Sequence, residues 1–348
     1  MKGVLDEILQ RLRKGETAVL VTVIRSEGST PRGAGAQMAV FSDGSGTGTV
    51  GGGSVEHEAQ KLARKYLSEK KSAVGDFSLH ANEAADLGMI CGGELTLFFQ
   101  FLAASEGLVH FLEQVVQLSE SRKEMWLITE INQSSDWSMA IADDEGRLLT
   151  CCGDFPVSQP DPGLLGSFCR MERLDKHTLF VRPLRGSGQV YVFGGGHISQ
   201  MLVPLLHTVF FPCTVVDDNG DYANRERFPQ ARQVIVTAFD HAFEKIQVEP
   251  RDYIVIVTRG HEWDYSVLTQ SLKTEAQYIG MIGSRQKNDA LFQKLIRNDG
   301  FTITDLRRIK APIGLDIGGD TPQEIALSIA AQLVQVRAHG RQSGRKVL

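Results

Sequence analysis

From Gln189 onward the chain repeats one pattern five times: a short, β-branched apolar run followed by a helical or loop segment. The runs are QVYVF, CTVVD, QVIVT, DYIVIVT and QYIGMIG. A strand with one face in water alternates apolar and polar residues. These runs are apolar almost throughout, as parallel strands covered on both faces must be. Parallel neighbours need a crossover between them, so the pattern dictates a doubly wound parallel sheet with helices on both sides. The final helix is marked by Thr321 as N-cap, Pro322 at the first helical position and Glu324 completing a capping box. Its apolar face is read as Ile325, Leu327, Ile329 and Leu333.

The first half has a different texture. Residues 4–14 space their apolar side chains as an amphipathic helix, 18–24 and 37–41 read as strands, and SDGSGTGT is a hairpin-like turn. A glycine run then opens a helix that buries Val55, Ala59, Leu62, Ala63 and Tyr66. Strands are expected at 77–80, 94–102, 125–130 and 138–142, a helix near 108–118, and an irregular connection over 153–166. This is an α+β arrangement. Single cores seldom grow past about 250 to 300 residues, so 348 residues imply two domains. The boundary falls in PLRGSG, giving an N-terminal α+β domain over 1–184 and a C-terminal Rossmann-like domain over 189–348.

Composition excludes several classes of function. A net charge of −5 without a basic stripe argues against nucleic acid as a partner. The N-terminal MKGVLDEILQRLRKGE lacks the apolar core of a signal peptide, and no later run approaches a membrane span, so a cytoplasmic protein is expected. The five cysteines are odd in number and show no CxxC or zinc spacing, which argues against a disulfide scaffold. Cys213 opens an apolar strand, and Cys169 suits a small apolar position. Cys91, in GMICGGELTLF, has two readings: a small buried hydrophobe, or a thiolate soft enough for molybdenum or copper.

Three glycine-rich turns carry candidate chemistry. In VYVFGGGHIS, Gly194 and Gly196 hold the first two glycine positions of GxGxxG, Ser199 stands at the third, and His197 opens the helix. Asp217 ends the next strand, where an acid accepts from a ribose 2′-hydroxyl, favouring NAD over NADP. Pro204 interrupts the helix that follows. In GTVGGGSVEHEA, Gly51, Gly52 and Gly53 precede a helix with Ser54 as its expected cap, an arrangement whose amides bind anions. Glu56 and His57 stand open as metal donors, while Glu58 reads as a dipole partner. Arg32, in GSTPRGAGA, offers a cation beside Ser29 and Thr30, suited equally to phosphate and to solvent. In the second half, His261 and Asp264 follow a strand in TRGHEWDY, and Gly283, Ser284 and Arg285 follow another in IGMIGSRQK. Both sets belong at the carboxyl edge of the sheet, where ligands bind.

Taken in order, GSTPRGAGAQMAV, GTVGGGSVEHEA, GMICGGEL, VFGGGHIS, TRGHEWDY, IGMIGSRQK and GLDIGGDTPQEIA resemble the XdhC/CoxI family, accessory factors of molybdenum hydroxylases such as xanthine dehydrogenase. The resemblance spans nearly the whole chain, with 119–185 its least diagnostic part. It implies a chaperone that carries the molybdenum cofactor (molybdopterin), shelters it while a cysteine desulfurase supplies its sulfido ligand, and helps insert it into the apo-hydroxylase. The family's CGG cysteine falls on Cys91, a molybdenum contact on this reading. Its first glycine loop falls on Gly51, Gly52 and Gly53, and its Rossmann loop on Gly194 and Gly196. The residues alone also admit an NAD-linked oxidoreductase using Gly194, Gly196, Asp217, His261 and Asp264, or a structural component of a hydroxylase complex. A homodimer is expected because two-fold association is the commonest oligomer.

Overall fold

A computed structural model describes residues 2–78, 93–119, 123–131, 137–166, 168–184 and 188–342. The chain divides into two compact units, Met1–Gly186 and Ser187–Leu348. In the first, α1 (Lys2–Leu12), β1 (Ala18–Glu27), β2 (Gln37–Phe41), β3 (Gly46–Gly48), α2 (Gly53–Glu69), β4 (Ala73–Ser78) and β5 (Glu94–Leu102) precede α3 (Glu106–Ser119). Then come β6 (Met125–Glu130), β7 (Met139–Asp143), β8 (Leu148–Cys152), β9 (Arg170–Leu174) and β10 (His177–Pro183). These strands form two antiparallel sheets, in the orders β3-β2-β1-β5-β4 and β8-β7-β6-β10-β9.

The two-residue period of β1 divides this unit's core. Val19, Val21 and Val23 point to the face covered by Val55, Ala59 and Ala63 of α2. Ala18 and Leu20 point the other way, into a cluster with Ile8 and Leu12 of α1, Phe111 and Leu112 of α3, and Leu127 and Ile141 of the second sheet. Leu62 and Tyr66, expected on the buried face of α2, are partly buried at its margin. Strands β8, β9 and β10 fall in the stretch whose sequence pattern is least informative. β8 and β9 alternate half-buried and exposed residues, without an apolar face to announce them.

The second unit contains β11 (Val190–Phe193), α4 (His197–Thr208), β12 (Cys213–Asp217), β13 (Gln233–Val236), β14 (Tyr253–Ile256), α5 (His261–Ser271) and β15 (Tyr278–Met281). It ends with α6 (Arg285–Asp299), α7 (Ile303–Leu306), β16 (Ile309–Lys310) and α8 (Pro322–Gln342). All six strands pair in parallel, in the order β13-β12-β11-β14-β15-β16. Numbered within the unit this is 3-2-1-4-5-6, the Rossmann order. Val190 and Val192 of β11 face α4 and α8. Tyr191 and Phe193 face the opposite side, toward Val267 and Leu268 of α5 and Leu295 of α6.

The capping box that opens α8 is present: Thr321 Oγ1 accepts from the Glu324 N–H at 3.3 Å, and Glu324 Oε2 accepts from the Thr321 N–H at 3.0 Å. The apolar face differs from expectation. Leu327 is 52% exposed, and the buried stripe is Ala326, Ile329, Ala330 and Leu333. Alanines can form the seam because α8 packs closely on α4. Among the described residues, no helix is long and apolar enough to cross a membrane.

Candidate functional site

In the first unit the loop between β1 and β2 is held by two glycines from elsewhere in the chain. A Cβ on Gly93 would stand 2.6 Å from the Ser29 carbonyl oxygen and 2.7 Å from that of Glu27. A Cβ on Gly51 would stand 2.8 Å from Pro31 Cγ. Residues 27–31 thus lie between the residue two positions after Cys91 and the turn that opens α2. Three sequence motifs are brought to one place by contacts that only glycine permits. Ser26 and Thr30 hydroxyls meet at 2.6 Å and brace the loop from within. Arg32 is exposed, with no hydrogen bond or ion pair to the described residues. Cys91 itself lies outside the described residues.

The amides of the Gly51 turn are already engaged. The Gly51 N–H donates to Thr49 Oγ1 at 3.2 Å, and the Gly52 N–H donates to Glu56 Oε2 at 3.0 Å. Thr49 also donates its hydroxyl to the same Glu56 oxygen. Gly52, with φ of 80°, is the N-cap of α2, and Ser54 lies one position inside the first turn instead of capping it. Glu56, open in sequence as a metal donor, is therefore the clamp of its own loop. Glu58 pairs with Lys61 at 3.7 Å, an exposed contact of the kind expected for a dipole partner. His57 is exposed. Among the described residues, no three His, Cys, Asp or Glu side chains cluster as a metal site.

In the second unit the candidates collect at the carboxyl edge of the parallel sheet, around the crevice between β11 and β14 where the strand order reverses. Gly194 has φ of 108°, and a Cβ there would stand 2.4 Å from the Val257 carbonyl oxygen. Gly195 is crowded by the Tyr222 backbone. Gly196 caps α4 in extended geometry, and a Cβ on it would meet nothing within 4 Å. Ser199, at the position of the pattern's third glycine, is buried and donates its hydroxyl to the Gly194 carbonyl. The departure from the glycine pattern thus carries its own compensation, a bond that ties helix to loop.

Asp217 is 3% exposed and committed on both oxygens. Oδ2 accepts from the Gly195 N–H at 2.7 Å, while Oδ1 accepts from the Asn219 N–H at 3.0 Å and from Arg259 at 3.2 Å. Burial pushes its carboxyl up, and these donors oppose the shift. Arg259 continues to Asp218 at 2.6 Å, and Arg259 and Arg227 each stand 5.6 Å from the Tyr222 ring. Asp264 is 5% exposed. Burial raises its carboxyl, opposed by the Thr258 hydroxyl, which donates to it at 2.6 Å, and by His261. His261 Nδ1 stands 3.9 Å from Asp264 Oδ2, beyond hydrogen-bond reach. Ser284 caps α6 by accepting from the Lys287 N–H at 3.4 Å. His197, His261, Ser284 and Arg285 are exposed along this edge.

Comparison with known proteins adds an independent line. Residues 190–333 match the XdhC Rossmann domain, and residues 11–78 match the XdhC and CoxI family. YqeB of Escherichia coli (strain K12) is 24% identical over 319 residues, which are 91% of this chain and 43% of YqeB, so the chain spans less than half of that relative. A probable xanthine dehydrogenase subunit of Bacillus subtilis (strain 168) is 25% identical over 94% of this chain and 95% of its own length. The molybdenum cofactor insertion chaperone PaoD of E. coli (strain K12) is 23% identical over 97% of this chain and 89% of its own. A crystal structure described as a xanthine dehydrogenase from Bacillus halodurans shares the fold, with a TM-score of 0.79, 24% identity and 96% of each chain covered.

Proposed function

The chain belongs to the XdhC and CoxI family, and from that premise we propose that it serves the maturation of a molybdenum hydroxylase, as a carrier of the molybdenum cofactor with no turnover of its own. The observation that carries this reading is the convergence of the 27–31 loop, Gly51 and Gly93. It assembles a turn that opens a helix, the exposed Arg32 and the chain segment that follows Cys91. Similarity to PaoD, over most of both chains, supports the same cargo. In this reading Arg32 meets the cofactor phosphate, Gly53 and Ser54 present the first turn of α2 to it, and the Cys91 thiolate approaches molybdenum. Partners are the apo-hydroxylase and a cysteine desulfurase that supplies the sulfido ligand, with the protein acting as a homodimer in the cytoplasm.

The test is metal and pterin analysis of the protein co-expressed with a molybdenum-cofactor pathway, comparing wild type with Cys91→Ala and Arg32→Ala. We expect equimolar molybdenum and pterin on wild type and at least a several-fold loss in each variant. No cofactor on wild type would remove the carrier reading. Equal loading in all three proteins would keep the carrier and release both residues from their roles.

A nucleotide in the second unit is favoured by one specific observation, the open space at Gly196 on the N-terminal turn of α4. The residues fit a pyrophosphate better than an adenosine ribose, because Asp217 is held by Gly195, Asn219 and Arg259. A bound NAD would supply hydride-transfer chemistry, for which His261 and Arg285 stand on the same sheet edge. NADH fluorescence titration tests this: binding with no hydride transfer points to a regulatory nucleotide, binding with transfer to an oxidoreductase, and no binding removes both.

A further inference from the structure

Helix α6 carries two stripes of side chains, and the core of the second unit takes one of them whole. Asn288, Leu291 and Leu295 are buried. Asp289, Phe292 and Ile296 follow at the same three- and four-residue spacing on the flank of the helix, exposed or half-buried. Beside that flank stands α7, which Thr302 and Asp305 open with a reciprocal capping box. Its first residue, Ile303, is 69% exposed. Together α6 and α7 form an open groove of about 520 Å³ with Phe292, Ile296, Ile303 and Leu306 in its walls.

The same walls carry one charge of each sign, Asp289 from α6 and Arg307 from the residue after α7. Both are exposed, and neither makes an ion pair or a side-chain hydrogen bond with another described residue. They do not pair with each other, so the two charges stand apart on the groove. The adjacent Arg308 shows the alternative. Its guanidinium donates to the carbonyls of Leu272, Thr274 and Ala276 at 3.3, 2.7 and 3.2 Å.

An occupant of uniform charge, acidic or basic, would gain at one wall and lose at the other. A carboxylate and a guanidinium set apart on one apolar surface are instead complementary to a second copy of that surface. A half-turn about an axis through the apolar stripe brings each sign against its opposite, twice. The projecting Ile303 and the groove beside it match in the same manner, as knob and hole. We propose that the groove between α6 and α7 is a two-fold interface with a second copy of this chain. In it, Asp289 of each copy pairs with the partner's Arg307 around a centre of Phe292, Ile296, Ile303 and Leu306. This interface gives the homodimer proposed above its surface, and it rests on that part of the reading alone.

Sedimentation equilibrium of the full chain tests it by charge exchange. Wild type should be a dimer. Asp289→Arg and Arg307→Asp each set like charges together at two places, and each should weaken the dimer at least about tenfold. Equimolar mixing of the two single variants should restore dimers to within about threefold of wild type, because the mixed pair opposes unlike charges at both places. The doubly exchanged chain should do the same, and the mixture replaces it should that chain not fold. A wild type that stays monomeric overturns both the interface and the homodimer. A dimer indifferent to both exchanges overturns the interface and leaves the homodimer standing. If the exchanges instead weaken only the binding of an apo-hydroxylase, the groove belongs to that partner and the proposal falls. Molybdenum content of the same variants is read separately, so failure here is distinct from failure of the carrier reading.

Discussion

The two glycine turns that open α2 and α4 look alike in sequence and are built on one device: a carboxylate of the chain accepts from a loop amide. In the first unit Glu56 takes the Gly52 N–H; in the second Asp217 takes the Gly195 N–H. They differ in where the carboxylate comes from and in what it leaves open. Glu56 belongs to the helix that follows its turn, and its charge sits at the helix entrance itself. Asp217 comes from a neighbouring strand, and leaves Gly196 and the start of α4 clear. A glycine run therefore announces a tight turn in both places, but only the surrounding acceptors decide whether the turn still has donors for a ligand.

The strongest way to break this comparison is to separate glycines required by the fold from the one left open. Gly194→Ala forces a side chain into positive φ and against the Val257 carbonyl, and we predict a loss of about 2–4 kcal/mol in the stability of the second unit. Gly196→Ala should cost less than about 1 kcal/mol, yet weaken any nucleotide that binds there. Urea unfolding of both variants decides the matter, since equal losses would erase the distinction. A smaller effect sharpens the first turn. Glu56→Gln keeps an acceptor for Gly52 and Thr49 but removes the negative charge, so pyrophosphate affinity measured by calorimetry should rise roughly three- to tenfold. An unchanged or lower affinity would show that anions do not approach α2.

The smallest expected effect concerns pH. Burial raises the Asp264 carboxyl above its ordinary 3.8, so the native state holds that proton more tightly than the unfolded chain. Its contribution favours folding below 3.8 and is lost as pH rises through the raised native value. Relative to Asp264→Asn, wild type should lose stability over the interval that opens at about pH 4 and runs upward through the raised native value, read from urea midpoints. A relative gain over that interval would refute the assignment.

Much of the fold was legible because burial writes itself into strand composition. The five apolar runs after Gln189 became β11 to β15, and the strands at Gln37–Phe41, Glu94–Leu102 and Met125–Glu130 match their sequence boundaries. What sequence missed has identifiable causes. β16 is two residues long, too short for any periodicity, and β8 and β9 are half exposed. The acceptors were harder still. Nothing in GGGSVEHEA distinguishes a glutamate that clamps its own loop from one that meets a ligand, and nothing in CTVVDD says that Arg259 will reach back to Asp217. Ser199 was legible only as a missing glycine, since the bond it makes depends on the Gly194 carbonyl turning toward it. The convergence of Gly51, Pro31, Ser29 and Gly93 joins positions more than 60 residues apart. Their order in the chain gave each motif, but only the antiparallel pairing of β1 with β2 and β5 brings them together.

The Glu56 clamp has a kinetic side. A loop whose amide is already occupied binds by exchange: the arriving anion must evict a tethered competitor that never diffuses away. Such a competitor lowers affinity, but it is also ready to refill the loop the moment a cargo loosens, which speeds departure and discourages rebinding. For the carrier role proposed above, a grip with a built-in release serves better than a tighter one.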